Sequence, residues 1–373
     1  MLAVVRRRSD VVDIFDKVVA GERITPDDGL RLLACGDLAA LGAMANLVRE
    51  RLNGDRTYYV VNRHINYSNI CVNACRFCAF SRKRGDAGAY EMTLDEIFRT
   101  AQKSLVEPIT EFHIVGGLHP TLPFSFYEEM LRGLKAIAPD VHLQAFTAVE
   151  IAHIAARGGL SVRETLQRLR AAGLGSIPGG GAEVFAPALR RALCPTKLSG
   201  EDWLDVMRTA HTLGVRSNAT MLYGHIEKPH QIIEHLDRLR ALQDETGGFV
   251  AFIPLMFHVE HTQLTHLRPA TGRRDLEVMA VSRIYLDNFP HLKAFWIMLG
   301  VKLAQVSLSF GADDMDGTVV MERITHAAGA KTPQALGVAE LRALIEETGR
   351  VPIERTTLYE LVEHKGNRSN GSR

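Results

Sequence analysis

Three cysteines crowd between positions 71 and 78, as Cys71, Cys75 and Cys78 of CVNACRFCAF, while Cys35 and Cys194 stand alone. Such crowding makes a poor disulfide framework and a good metal cluster. The two solitary cysteines read as buried, inert thiols. Thiolates are soft ligands suited to iron–sulfur clusters, and gaps of three and two residues let one loop wrap one face of a compact object. The number three is informative. A structural zinc or an electron-transfer cluster usually has four protein ligands. Three cysteines around a four-iron cube leave one iron open to an exchangeable ligand. The alternative is a zinc knuckle with a distant fourth ligand; His64 is near in sequence, but on the strand side. Phe77 and Phe80 flank the last cysteine, as a nucleotide-stacking platform would.

A loop that carries a cluster needs a rigid frame. From TYYVVNRHINY onward the chain alternates short β-branched runs with amphipathic stretches such as TLDEIFRTAQKSL, FSFYEEMLRGLKAI and SGEDWLDVMRTAHTLG. The pattern predicts strands at Tyr58–Ile65, Glu111–Val115, His142–Phe146, Ser176–Pro178, Val215–Leu222, Phe249–Pro254 and Ala294–Ile297, with a weaker eighth near Val306–Phe310. Regular alternation of strand and helix argues for a parallel sheet. Roughly eight such units at this length fit a closed (βα)8 TIM-type barrel over 55–362, with a doubly wound open sheet as the alternative. Ahead of it, 1–54 reads as an N-terminal helical extension, in which Thr25 is an N-cap and Pro26 the first helical residue. The polar, Gly/Ser-rich tail over 363–373 reads as disordered. In such barrels chemistry sits in the loops after the strands, which is where CVNACRFCAFSRKRG, GGLHP, GGGAE, YGH and FHVEH fall.

Composition narrows the class further. The 373 residues are 46% hydrophobic, with 44 Lys plus Arg against 43 Asp plus Glu and a net charge of +1. That balance argues against a nucleic-acid or anionic-membrane binder driven by bulk charge. Charge follows soon after a short apolar run at the N-terminus, unlike a signal peptide. No run approaches the ~20 apolar residues of a membrane span, so the expectation is a soluble, cytoplasmic protein. GGGAE lacks the trailing Gly-Lys-Ser/Thr of a phosphate loop. The basic SRKRG is short for nucleic acid and suits a solvated loop or a docking spot for a small acidic reductant.

C-x3-C-x-F-C resembles the signature of the radical S-adenosylmethionine (SAM) superfamily. The resemblance implies a [4Fe–4S] cluster on Cys71, Cys75 and Cys78, whose open iron is chelated by SAM and whose electron cleaves the sulfonium C–S bond. It extends over roughly 55–360. HINYSNICVNACRFCAFSR looks like the branch holding aminofutalosine synthase, dehypoxanthine futalosine cyclase and the F420-precursor synthase subunit. IVGGLHPTLPFSFY, PGGGAEVF, SNATMLYGH, DETGGFVAFIP and FGADDMDGTV are together most similar to aminofutalosine synthases, SNATMLYGH and GADDMDGT more so than to the siblings. One departure is FHVEHTQL, where Val259 and His261 replace an expected Pro and Asn. The implied reaction adds the adenosyl group of SAM to 3-[(1-carboxyvinyl)oxy]benzoate. Its products are 6-amino-6-deoxyfutalosine, methionine and bicarbonate, on the futalosine route to menaquinone, with a flavodoxin or ferredoxin-type reductant.

The resemblance also implies roles. Gly116 and Gly117 would let backbone approach the methionyl amino group of SAM. Glu183 would accept from the ribose hydroxyls, since a carboxylate offers several lone pairs to a diol. Thr220 and Tyr223 would help the same ribose or the substrate. The substrate is a dianion and needs cations or hydrogen-bond donors; His119, His225, His258 and Arg82, all in loops after strands, are the candidates.

Overall fold

The computed structural model describes residues 10–363. The predicted disordered tail therefore lies, beyond residue 363, outside the described residues.

Three helices come first: α1 (Val12–Ala20), α2 (Pro26–Ala34) and α3 (Leu38–Asn53). Thr25 caps α2 through a reciprocal box with Asp28, and Pro26 takes the first turn, where its missing N–H is not needed. Asp28 is also held by Lys17 of α1 at 2.7 Å. The apolar faces of α2 and α3, including Leu32, Leu33, Leu41 and Met44, are buried, packed against a late helix of the barrel wall, Gly272–Tyr285.

The barrel staves are β1 (Arg56–Val60), β2 (Asn62–Ile65), β3 (Glu111–Ile114), β4 (His142–Ala145), β5 (Ser176–Ile177), β6 (Arg216–Tyr223), β7 (Phe249–Met256), β8 (His291–Leu292) and β9 (Asp314–Gly317). Strands β2 to β8 form one parallel sheet in chain order, the arrangement that right-handed βαβ units generate. The single predicted strand Tyr58–Ile65 is two pieces, β1 and β2, broken at Val61. β9 closes the gap between the ends of that sheet. It pairs with β1 on one side, its first residue Asp314 bridges to Lys293 just after β8, and Val320 just after it bridges to Arg63. Ala294 N–H donates to Asp314 O and His64 N–H to Val320 O, at 2.8 and 2.9 Å. A tenth strand, β10 (Val351–Glu354), runs parallel to the free edge of β1. The architecture is a TIM-type barrel.

Two predicted strands are corrected. Ala294–Ile297 is not a strand: β8 ends at Leu292, and Trp296–Leu299 forms a short helix. Val306–Phe310 contains no strand either, because Val301–Ser307 is helical and buries Ala304, Ser307 and Leu308 on one face. The closing strand is instead DMDG, wholly buried despite two aspartates. Asp314 faces Arg355 at 2.6 Å, and Asp316 lies 3.5 Å from Lys293. Burial of charge is tolerated where it is paired, so hydropathy gave this strand no signal. Among the described residues no helix is long and apolar enough to cross a membrane.

Candidate functional site

At the mouth of the barrel the loops after the strands enclose a cavity of about 340 Å³. Its upper wall is the cysteine loop, and many backbone contacts fix that loop. Val72 N–H donates to Leu118 O at 3.0 Å, Arg76 N–H to Leu193 O at 2.8 Å, and Gln263 N–H to Arg76 O at 2.9 Å. Lys83 Nζ caps the carbonyls of Cys71, Val72 and Asn73. All three thiols line the cavity and are partly exposed. Leu118 N–H donates to Cys71 Sγ at 3.4 Å, the kind of sulfur contact that tunes an iron–sulfur site.

The donor set fits a cluster. Burial pushes the Cys75 thiol up to about 12, so a thiolate there needs a strong positive partner, which iron supplies. No group of three His, Cys, Asp or Glu side chains among the described residues is gathered tightly enough to hold one metal ion. Three thiols strung along one loop suit a body several atoms across. Cys35 and Cys194 are buried and do not line the cavity, although Cys194 sits close behind the cysteine loop, beside Cys75 and Lys197.

Gly116 and Gly117 follow β3 and line the same cavity. They are glycine for a packing reason. A Cβ on Gly117 would stand 2.3 Å from Ile70 O, and one on Gly116 2.6 Å from the Tyr67 ring. Only glycine lets this turn press against the chain leading into the cysteine loop. Their N–H groups are engaged: Gly116 N–H donates to Glu150 Oε1 at 2.9 Å and Gly117 N–H to Ser68 O at 2.8 Å. Glu150 takes four donors in all, adding Tyr67 Oη and the Thr147 N–H and hydroxyl.

On the opposite side Glu183, held at a left-handed φ of 50°, pairs with Lys197 Nζ at 2.5 Å. Lys197 also sits over the Phe77 ring, 5.3 Å from its centre. Phe77, Phe80, Glu183, Thr220 and His258 all line the cavity. The Thr220 hydroxyl donates to Gly179 O at 2.7 Å, and His258 Nε2 donates to Met298 O at 3.0 Å.

Four expected site residues are placed elsewhere. His119 is buried outside the cavity, its Nδ1 accepting from Thr121 and Leu122 N–H and its Nε2 beside Glu91. His225 folds back, with Nε2 donating to Leu222 O at 2.9 Å and Nδ1 accepting from Ile226 N–H. Arg82 caps the carbonyls of Ala79 and Ser81. Tyr223 points outward from β6 and donates to Asp275 at 2.9 Å. Alternation explains the last case: side chains three positions apart on a strand face opposite ways, so Thr220 and Tyr223 cannot both look inward.

Sequence reasoning missed the floor. His64 of β2, His113 of β3, Gln144 of β4, Asn218 of β6, Lys293 after β8 and Asp316 of β9 line the cavity from below. Register puts His64, His113 and Gln144 side by side. The His64 and His113 rings stack at 4.5 Å. The signal was present as polar residues at alternate positions of otherwise apolar strands.

The comparisons with known proteins agree with this geometry. Residues 65–239 match the Radical SAM superfamily, and 246–367 match the CofH/MqnC C-terminal region. The chain is 46% identical to an aminodeoxyfutalosine synthase of Thermus thermophilus, covering 94% of this chain and 95% of that one. It is 44% identical to the Streptomyces coelicolor protein of the same name, covering 95% of each. It is also 42% identical to a 5-amino-6-(D-ribitylamino)uracil–L-tyrosine 4-hydroxyphenyl transferase of Methanoculleus marisnigri, covering 94% and 97%. Among solved structures, methylornithine synthase superposes with a TM-score of 0.73 at 19% identity, covering 91% of this chain and 97% of that one. The FeFe-hydrogenase maturase HydG from Carboxydothermus hydrogenoformans gives 0.72 at 17%, covering 94% and 80%; both speak to the fold. The chain thus belongs to the radical SAM superfamily, an enzyme working with a [4Fe–4S] cluster and SAM and a homologue of aminodeoxyfutalosine synthase.

Proposed function

We propose that the enzyme converts SAM, 3-[(1-carboxyvinyl)oxy]benzoate and water to 6-amino-6-deoxyfutalosine, methionine and bicarbonate, as a step toward menaquinone. One observation carries the choice among relatives. The two segments most similar to aminofutalosine synthases, SNATMLYGH and GADDMDGT, send Asn218, Thr220, Leu222 and Asp316 into the cavity. The distinguishing segments are therefore in a position to select substrate.

In this reading Cys71, Cys75 and Cys78 hold the cluster, which when bound supplies the electron that opens the C–S bond of SAM. The turn at Gly116 and Gly117 brings backbone beside it. Glu183, neutralised by Lys197, faces the nucleoside with acceptor oxygens, and Phe77 and Phe80 give it flat apolar surface. Leu222, Ile253, Leu255, Phe257 and Met298 line the remaining wall and exclude water from the reacting carbons. The exposed basic Lys83 and Arg84, on the outer side of the cysteine loop, suit the docking of an acidic flavodoxin or ferredoxin-type reductant.

The test is anaerobic incubation of the reconstituted enzyme with SAM, dithionite and the enolpyruvyl benzoate, followed by mass analysis. The expected product contains the adenosyl carbons, with methionine released. Free 5′-deoxyadenosine with no adduct would move the assignment to a hydrogen-abstracting sibling. The methanogen transferases at 38–42% identity make that comparison necessary.

A further inference from the structure

Among the described residues lining the cavity, the fully buried side-chain polar atoms left without a hydrogen-bond partner are both on the floor. His64 is 6% exposed and its Nε2 has no hydrogen-bond partner. Asn218 is 2% exposed and its Oδ1 has none either; turned about its last bond, the amide offers an N–H to the same space. Lys293 is 4% exposed, and its nearest anion, Asp316 Oδ1, stands 3.5 Å away, the outer limit of a hydrogen bond. A buried ammonium so loosely paired is costly unless a further anion completes it. Its backbone is fixed at the cavity, because Lys293 N–H is tied to Phe252 O at 3.0 Å and the residue bridges to Asp314. Asp316 is a poor counter-charge: burial and nearby Asp314 push its carboxyl above the usual range, against the pull of Lys293. Glu111 lies one layer lower, paired in register with Asn62, and does not line the cavity.

We propose that Lys293, with His64 and Asn218, forms a carboxylate-binding floor that holds the ring carboxylate of the substrate and so fixes its depth in the barrel. The inference rests on the reading of substrate given above. The substrate has an anionic group at each end. Its alkene carbon must meet the adenosyl carbon near the thiols at the mouth. The ring carboxylate, meta to the enol ether, then lies on the side of the ring away from the mouth, toward Lys293. This makes Lys293 a specificity-determining residue, and a floor with unmet hydrogen bonds rejects an analogue that cannot satisfy them.

The experiment measures binding to the SAM-loaded, cluster-containing enzyme by anaerobic equilibrium dialysis. Two ligands are compared: the enolpyruvyl benzoate and 2-phenoxyacrylate, which lacks only the ring carboxylate. Wild type should prefer the diacid by about 30-fold, in line with a charged hydrogen bond to a buried group. Lys293→Met should lose that preference while binding 2-phenoxyacrylate as wild type does, with unchanged cluster absorbance. Lys293→Arg should keep part of the preference, which guards against a variant that fails for lack of folding. Equal binding of both ligands by wild type, or an equal loss of both in Lys293→Met, overturns the floor. Those results leave the proposed reaction standing if wild type still forms the adenosyl adduct; absence of any adduct from wild type overturns both.

Discussion

His119 and His64 are both histidines buried in the barrel, yet they do opposite work. His119, in the loop after β3, has Nδ1 accepting from Thr121 and Leu122 N–H, and its Nε2, without a hydrogen bond, lies 2.5 Å from the Glu91 carboxylate outside the cavity. His64, within β2, faces the cavity with Nε2 unpartnered, and burial, with His113 beside it, pushes it down to about 3, so it stays neutral. The same contrast separates Tyr223, Arg82 and His225 on the wall from Lys293 and Asn218 on the floor. Wall residues hold loops in place, whereas cavity residues are left with capacity for a ligand. Position after a strand does not distinguish the two groups; the direction of the side chain and its unmet hydrogen bonds do.

The sharpest way to break that contrast is at the cysteines. Cys75→Ala should leave a folded protein with no SAM cleavage, whereas Cys194→Ala, buried outside the cavity, should keep both cluster and cleavage. Iron and sulfide content together with methionine release would check the pair; retained cleavage in Cys75→Ala would remove the ligand assignment. Next in size is Lys197→Met. It strands Glu183, a side chain 10% exposed, without its cation, and breaking such a pair costs about 3–5 kcal/mol. Chemical denaturation should show that loss, and SAM affinity should fall with it. A change in stability with unaltered SAM affinity would move Glu183 from the binding site to the frame.

Wall residues should behave differently. Tyr223→Phe removes the hydroxyl that donates to Asp275, whose carboxyl burial already pushes up to about 6. A loss of about 1–2 kcal/mol of stability is expected for the stranded group, with KM for substrate unchanged. A raised KM would put Tyr223 in the site after all.

The cysteine loop was legible because its ligands are neighbours in the chain, and spacing alone carries the chemistry. Six of the seven main strand positions were legible because each is a β-branched or apolar run between helices of regular length. What was hidden has physical causes. DMDG closes the barrel with aspartates whose burial depends on Arg355 and Lys293, distant in sequence. Lys293 falls in HLKAFW, where the apolar run drew the predicted strand past β8 and away from the lysine. His225 lies in the expected loop, but its ring turns back on Leu222 O, a local turn that composition does not encode. Alternation along SNATMLYGH, applied residue by residue, separates Asn218, Thr220 and Leu222 from Tyr223 and would have found one floor residue, Asn218, and kept Tyr223 out of the site.

The smallest expected effect concerns the rim that joins the two regions. Glu322 lines the cavity and accepts from the N–H groups of Ile324 and Thr325 at 2.7 and 2.8 Å. His326 Nδ1 lies 3.0 Å from Glu322 Oε2, and its Nε2 lies 3.2 Å from Thr332 O. The Glu322 hydrogen bond raises the His326 pKa to about 9, from an ordinary value near 6.5. A histidine that binds its proton more tightly when folded contributes stability that is whole below about pH 6.5 and fades as pH rises through about 9. The imidazolium donates at both nitrogens; the neutral ring keeps only one N–H, so either Glu322 or Thr332 loses its donor. Thermal stability should therefore decline between pH 6.5 and 9, and His326→Gln should flatten that decline while lowering stability at pH 6. Because Glu322 anchors the rim at Ile324 and Thr325, substrate KM should rise over the same window in wild type and stay level in the variant. An identical pH slope in both proteins would show that the rim is held by its backbone hydrogen bonds alone.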